Sequence, residues 1–532
     1  MHFNTFSFPS RRSNVLARNG VVATSQPLAA QAGLDVLQNG GNAVDAAIAT
    51  AATLCVVEPG STGIGGDAFA LIWWQDDQTL YGLNASGPAP QALTAEWIRG
   101  QGHAQMPQVG PITVTVPGSL RGWELALQRF GSKPLAELLR WPIDYAQDGF
   151  PVSEVIAAAW RGSAPLLERH RHSRRVWLPA GRAPRTGEIF QNGEFAATLR
   201  RIAAEGVDVF YEGDVARQIV QTVQEAGGVL ALSDLVQYRA EWVQPIAAPY
   251  RQGYAFHEIP PNGQGLAALL ALNVARGFDL GALDYGSPQR VHLLVEAMKL
   301  GYADALAYVA DPRQAPVPLK GLLSEEYTAQ RRALVDPRRA MMPQAGEPPG
   351  DGDTVYLTVA DRAGNMVSWI QSLYFGFGSG LTAGTTGVQL QNRGANFRLQ
   401  EGHPNQVAPG KRPYHTIIPA FITREGRPWA SFGVMGGFMQ PQGHLQVGVN
   451  LVDYGMDPQA ALDAPRFRWL EGRQVALEPS FPPQMPRALA KMGHELVDWN
   501  SFGGGQIVVC DAQSGVYIAG SEPRKDGAAV GY

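Results

Sequence analysis

An α+β fold, with stacked β-sheets held between helical layers, is what this sequence predicts. Three observations carry that prediction. Residues 118 to 334 run mostly in helical patterns, whereas residues beyond 354 are dominated by short strands. Residues 42–57 form a helix that is apolar on nearly every side (Ala46, Ala47, Ile48, Ala49, Ala51, Ala52, Leu54), and such a helix belongs inside, packed on a sheet. Residues 354–361 and 366–374 alternate apolar and polar around Arg362-Ala363-Gly364-Asn365, a turn with Gly and Asn where a hairpin needs them.

Taken in order, Ser25 reads as an N-cap with Pro27 just inside a helix ending near Asn39-Gly40-Gly41. The apolar helix follows and stops at Glu58-Pro59-Gly60. The Gly-rich turn Gly63-Ile64-Gly65-Gly66-Asp67 leads into strands at 68–74 and 79–84. A phosphate cradle is the rival reading of those glycines, but they precede a strand and no Lys-Ser/Thr follows. Helices are expected at 118–130, 134–148, 155–172, 194–205, 214–227, 265–277 and 289–309, with strands near 229–232 and 250–258. After the hairpin come strands at 387–392, 416–423, 429–434, 506–510 and 516–519, and helices at 442–454, 458–463 and 486–491. Strands on both sides of residue 354 are expected to share sheets, so 1–353, helix-rich, and 354–532, strand-rich, would be interlocked pieces of one domain.

Composition narrows the function. The 532 residues are 45% apolar and 17% charged with a net charge of −4, which describes a folded chain and gives no global pull toward nucleic acid. Six arginines and two histidines crowd residues 169–185, but Trp177 is the aromatic available there for base stacking, so a solvated helix end is the reading adopted. Two distant cysteines, Cys55 and Cys510, exclude a disulfide framework and a Cys-rich metal site. The histidines are scattered without ligand spacing, and neither metal nor cofactor is expected. The first residues lack a basic start followed by an apolar run, and no stretch of eighteen apolar residues occurs; cytoplasm is therefore the expected compartment.

Chemistry enters at Gly352-Asp353-Thr354-Val355-Tyr356, where a Pro-, Gly- and acid-rich loop meets the hairpin. A Thr there reads either as a β-branched residue opening a strand or as an N-terminal nucleophile. In the second case the bond between Asp353 and Thr354 breaks through an ester formed by the hydroxyl on the Asp353 carbonyl. The freed α-amine, with an unperturbed pKa of about 7.7–8.0, then takes the proton of its own hydroxyl.

Several further stretches decide between these. They are Ala29-Ala30-Gln31-Ala32-Gly33, Gly40-Gly41-Asn42-Ala43-Val44-Asp45, Gly63-Ile64-Gly65-Gly66, Val116-Pro117-Gly118-Ser119 and Pro260-Pro261-Asn262-Gly263-Gln264-Gly265. Later come Gly376-Phe377-Gly378-Ser379-Gly380, Pro409-Gly410-Lys411-Arg412-Pro413, Met435-Gly436-Gly437, Asp463-Ala464-Pro465-Arg466 and Gly520-Ser521-Glu522-Pro523-Arg524. In this order, over essentially the whole chain, they resemble the γ-glutamyltranspeptidase (glutathione hydrolase) family. The resemblance implies an Ntn-hydrolase αββα four-layer sandwich, self-cleaved before Thr354 into a large and a small chain that stay together as a heterodimer, with a dimer of heterodimers as a further expectation. It implies an oxyanion hole at Gly436 and Gly437, where fixed backbone donors would stabilise the tetrahedral intermediate. A turn preceding a helix is the plain alternative for that pair. Water, or an amino acid or peptide, would accept the acyl group.

Substrate positions depart from the family. Its carboxylate-binding Arg aligns with Asn84, its amine-binding Asp with Asn396, its paired serines with His415 and Thr416, and a Thr and an Asn of the hairpin with Ser372 and Tyr374. Both halves of the clamp for a γ-glutamyl zwitterion are gone, while Arg393 is gained. That exchange suits an acyl group with a carboxylate and no α-ammonium, as in the cephalosporin and glutaryl acylase branch; alternatively, Arg393 pairs with a nearby acid. His415 either binds substrate or packs as a neutral residue. The short segment between Phe397 and Lys411 implies no lid. The expected activity is hydrolysis of γ-glutamyl or related dicarboxylic acyl amides. An uncleaved binding scaffold is the rival of another class, and a Ser-His-Asp hydrolase is disfavoured because no Gly-x-Ser-x-Gly elbow occurs.

Overall fold

A computed structural model describes residues 12–343 and 353–532. Its framework is two seven-stranded sheets. One has the strand order Ala528–Gly531, Gly20–Thr24, Asp353–Asp361, Met366–Tyr374, Asp67–Trp74, Thr79–Ala85, Glu241–Val243. The other runs Val15–Ala17, Tyr517–Ser521, Gly504–Cys510, Arg427–Met435, Ala420–Arg424, Tyr254–Glu258, Ile246–Pro249. Neighbours within both sheets are antiparallel.

The four layers follow from alternation along single strands. In Asp353–Asp361, Val355, Leu357 and Val359 face one core together with Ala43–Val57 and Pro27–Gln38, while Tyr356 and Ala360 face the core between the sheets. The outer face of the second sheet packs on Gly265–Ala275, Pro288–Tyr308 and Gln440–Val452. This is the Ntn-hydrolase αββα sandwich. Polar groups also pin the sheets together: Thr358 Oγ1 donates to Ser431 Oγ at 2.7 Å in the middle of the sandwich. The approach is close enough that a Cβ on Gly433 would stand 2.5 Å from the Tyr356 ring.

The small apolar helix is buried at every position, and Asn42 caps it in a reciprocal box with Asp45. Elsewhere the structure corrects several boundaries. Gln26, not Ser25, caps the first helix, its Oε1 accepting from the N–H groups of Leu28 and Ala29; Ser25 donates to the Glu58 carboxylate at 2.5 Å. Residues 229–232 form no strand but lead into the helix Leu232–Val236. The strand expected at 387–392 shrinks to Val388–Gln389, because Gly387 turns the chain with φ 68° and the Gln391 N–H leaves the ladder to reach the Gly65 carbonyl. Both sheets combine strands from before and after residue 354, with Asp353–Asp361 lying between Gly20–Thr24 and Met366–Tyr374. Among the described residues no helix is long and apolar enough to cross a membrane.

Candidate active site

The hairpin places Thr354 at the mouth of the sandwich. Asp353 pairs with Tyr374 and Val355 with Gln371, so the register slips by one residue at Thr354, a bulge of the kind that re-aims a side chain. Thr354 is 2% exposed; its hydroxyl faces Ser372 Oγ at 3.4 Å and lies 3.4 Å from the Gln440 amide nitrogen. Ser372 Oγ also accepts from the Tyr374 N–H at 2.7 Å, which fixes its side chain.

Gly436 and Gly437 follow the central strand of the other sheet, Arg427–Met435; Gly437 opens the helical turn Gly437–Met439, which runs into the helix Gln440–Val452. Both have positive φ, 111° and 57°, the left-handed region that glycine enters without strain. The Gly437 carbonyl is held by the Gln264 amide at 3.0 Å, and Gln264 also bonds the Thr416 carbonyl at 2.5 Å. Thr354 and Gly436 line one cavity of about 170 Å³, walled also by Phe502, Gly503, Glu478, Arg524 and Lys525. Nucleophile-type hydroxyl and glycine turn therefore meet across the two sheets, from positions 82 residues apart in the chain.

The other predicted positions divide into two groups. Arg393, Asn396, His415, Thr416 and Tyr374 are all buried, and contacts link most of them. Arg393 donates to Thr416 Oγ1 at 2.6 Å, and its guanidinium lies 4.5 Å over the Tyr374 ring, whose backbone φ of 86° is unusual for a bulky residue. Among the described residues Arg393 makes no ion pair within 4 Å, although Asp67 acts on it through space, and burial lowers its pKa to about 10. Asn84 stands apart: its amide donates to Asn262 Oδ1 at 3.0 Å and its Oδ1 accepts from the N–H and hydroxyl of Ser86, so its hydrogen-bonding groups are taken inside the protein.

Asp67, Gln264 and Gln440 are site residues the sequence reading did not single out. Asp67 is fully buried and accepts from His415 Nε2 at 3.0 Å, Gln391 Nε2 at 2.9 Å and the Gly87 N–H at 3.0 Å. Burial pushes its carboxyl up to about 7 against the opposing pull of Arg393 and Arg412. His415 is held well below its ordinary value, by burial first and then by the same two arginines, and is neutral. All three lay inside or beside quoted motifs: Asp67 ends the Gly-rich turn, Gln264 belongs to the Pro-Pro-Asn-Gly-Gln run, and Gln440 follows the Gly-Gly pair by three.

Among the described residues the structure gathers one metal-type group of side chains that the spacing of histidines did not reveal. His292, Glu296 and His494 have donor atoms within 4.8 Å of one another. Lys299 lies 2.7 Å from Glu296, and His292 Nε2 donates to the Asp336 carbonyl at 2.8 Å. With Met341 N donating to Glu296 and Lys299 to the Met341 carbonyl, the cluster ties residues 336–341 to the body of the protein.

The family model for gamma-glutamyltranspeptidase matches residues 29–532. The chain belongs to the γ-glutamyltranspeptidase family. Among its relatives, the glutathione hydrolase-like YwrD proenzyme of Bacillus subtilis is 38% identical over 528 residues, covering 97% of this chain and 99% of the relative. The acylase ACY 1 proenzyme of Pseudomonas sp. strain SE83 is 35% identical, covering 98% and 95%. A crystal structure of cephalosporin acylase from Bacillus halodurans superposes with a TM-score of 0.94 at 47% identity, covering 99% of this chain and 98% of that one. The family's hydrolases and acylases make this chain an enzyme, and their mixture leaves the acyl group to be argued from the site.

Proposed function

We propose that this protein is a self-processing N-terminal-threonine amidohydrolase that acts on amides whose acyl group ends in a carboxylate. The observation that carries the reading is the meeting of Thr354 and Gly436 in one cavity, with the Thr354 hydroxyl at the rim of a buried hairpin. Cleavage between Asp353 and Thr354 gives the α-amine that the hydroxyl lacks in the intact chain. The hydroxyl then attacks the amide carbonyl while the amine takes its proton and returns it to the leaving amine. Backbone N–H groups at Gly436 and Gly437 stabilise the oxyanion, an effect of about 3–4 kcal/mol per donor in comparable sites. Water, entering the vacated leaving-group side, releases the acid. Interleaved strands keep the two pieces together as a heterodimer, which light scattering would resolve from a dimer of heterodimers, and the cytoplasm is the compartment expected.

Two acyl classes compete. A γ-glutamyl group, as in glutathione, needs a carboxylate partner and an ammonium partner; a glutaryl-type group needs the first alone. Arg393 supplies the first, while Asn396 in place of an Asp supplies no charge for the second, which favours the glutaryl-type reading. Hydrolysis is favoured over transfer because segment 398–410 is pinned down: the Asn405 amide donates to the Asn396 carbonyl at 2.7 Å and its Oδ1 accepts from the Tyr414 N–H at 2.9 Å, so it does not close as a lid.

A denaturing gel tests the whole reading. The purified protein should run as two pieces, residues 1–353 and 354–532, and Thr354→Ala should run as one and hydrolyse no anilide. A Thr354→Ala protein that is cleaved and active, or an active wild type that stays whole, ends the proposal and leaves the scaffold or another mechanism.

A further inference from the structure

Beside the candidate nucleophile lies a buried subsite whose polar groups do not balance one another. Arg393 is 0% exposed and gives one N–H to Thr416, but its Nε and Nη2 have no hydrogen-bond partner among the described residues. Three residues on, Asn396 is 3% exposed, and neither its amide nitrogen nor its amide oxygen is partnered. An unmade buried hydrogen bond weakens a fold, and more so where the group is charged. Four such positions on two neighbouring side chains mark a place built for a ligand that brings the missing partners. For a guanidinium, that ligand is a carboxylate.

A second anion is already nearby. Asp67 acts on Arg393 through space, yet forms no ion pair with it within 4 Å; its oxygens accept from His415, Gln391 and Gly87 instead. Three of its roughly four lone-pair positions are thus taken inside the protein, which leaves little room for a substrate ammonium. The remaining charged or titratable groups facing Asp67 are accounted for. Arg412 is paired with Glu241, and the Tyr211 and Tyr238 phenols are pushed up by burial and stay neutral. A substrate carboxylate would therefore place two anions against one guanidinium in a closed, low-dielectric space.

We propose that the acyl subsite takes a carboxylate-terminated acyl group together with one proton: Arg393 and Asn396 hold the carboxylate, and the Asp67–His415 pair holds the proton. The proposal rests on Thr354 being the nucleophile, and it names the acyl class that reaches it: a dicarboxylic acyl group without an α-ammonium. The carboxyl of Asp67 stands at about 7, set by burial against Arg393, so the proton is within reach at neutral pH. The pair titrates as a unit, His415 Nε2 and Asp67 Oδ2 sharing one hydrogen bond. Binding the acyl carboxylate raises the affinity of the pair for its proton, and by reciprocity the protonated pair binds the acyl group more tightly.

The test compares p-nitroanilides of glutaric acid, valeric acid (the same chain without the charge) and γ-glutamate between pH 6 and 9, with wild type and Asp67→Asn. The expected result is a glutaryl KM that climbs up to about tenfold per pH unit above 7 relative to valeryl, and loses that climb in Asp67→Asn. Should Asp67→Asn fail to fold, calorimetry of free glutarate binding to wild type at pH 8, in buffers of different ionisation enthalpy, should show uptake approaching one proton per site. A flat glutaryl-to-valeryl ratio or zero proton uptake overturns the proposal. So does a preference for γ-glutamyl that vanishes in Asp67→Asn, which would make Asp67 an ammonium partner. If cleaved protein turns over none of the anilides, the nucleophile reading fails, while glutarate calorimetry still judges the subsite.

Discussion

Arg524, partly buried, and Arg393, fully buried, are cations on two sides of Thr354, and they are treated in opposite ways. Arg524 has every N–H engaged: Nε and Nη2 with the two oxygens of Glu478, Nη1 with Glu522 and the Leu462 carbonyl, Nη2 also with the Ala464 carbonyl. Arg466 adds a second bond to Glu522 at 2.9 Å, so two cations and two acids close on themselves. Arg393 is more deeply buried and has one hydrogen bond, one aromatic face and open donors. A cation that brings its own acids holds a wall in place. One left short of them is, on the proposal above, ready for an anion from outside.

Truncating each arginine should separate these roles. Arg524→Met leaves partly buried Glu478 without its ion partner and fully buried Glu522 with Arg466 alone, and taking a partner from a buried acid costs up to about 3–5 kcal/mol. The expected readout is a fall of several degrees in Tm with little soluble protein at 37 °C. Arg393→Met should behave in reverse: it removes an uncompensated buried charge, so Tm should hold or rise. kcat/KM for a glutaryl anilide should fall about a hundredfold, and that for a valeryl anilide should hold within about twofold. If Arg393→Met melts as Arg524→Met does and both anilides suffer alike, the contrast between wall and subsite is wrong.

A smaller change sharpens the subsite side alone. Asn396→Asp puts an acid at the position where the family has one. It should weaken glutaryl hydrolysis by about tenfold through repulsion and raise γ-glutamyl hydrolysis by a comparable factor. The ratio of the two anilides is the measurement; an unchanged ratio would place Asn396 outside the reach of the acyl group.

The wall and the subsite were also unequally legible in the sequence. The hairpin at Thr354 declares itself through two short runs of mixed apolar and polar residues around a Gly-Asn turn, and the small apolar helix through its all-round hydrophobicity; local pattern decides both. Gly20–Thr24 and Ala528–Gly531 escaped because they are short and are strands only through pairing with each other and with Asp353–Asp361. Residues 387–392 looked like a strand because alternation does not register Gly387 turning the chain. Arg393, Asn396 and His415 stood out against the family pattern. Asp67 did not, since an acid after a Gly-rich turn reads as a loop residue until the fold brings His415 and Gln391 to it from more than 300 positions away. Charge balance within a pocket is a property of such long-range meetings, and no window of sequence contains it.

A further expected effect is a difference in sign. Glu522 is opposed by burial but held down to about 2 by Arg466 and Arg524, below its ordinary value of 4.5. A carboxyl depressed on folding contributes stability that is fully present above its unfolded value and is lost as pH falls from about 4.5 toward 2. Asp67 is raised by burial to about 7 from 3.8. The folded state therefore holds its proton more tightly than the unfolded state, and stability is lost as pH rises from about 4 to 7. Each slope is at most about 1.4 kcal/mol per pH unit. Thermal melts across pH 3 to 8 should show the gap between Glu522→Gln and wild type closing as acid is added below pH 4.5. Asp67→Asn should gain on wild type between pH 4 and 7 and run parallel above. Two variants drifting in the same direction would mean that the carboxyl beside Arg393 is stabilised by it as fully as Glu522 is by its arginines, and the open subsite would be a closed ion pair after all.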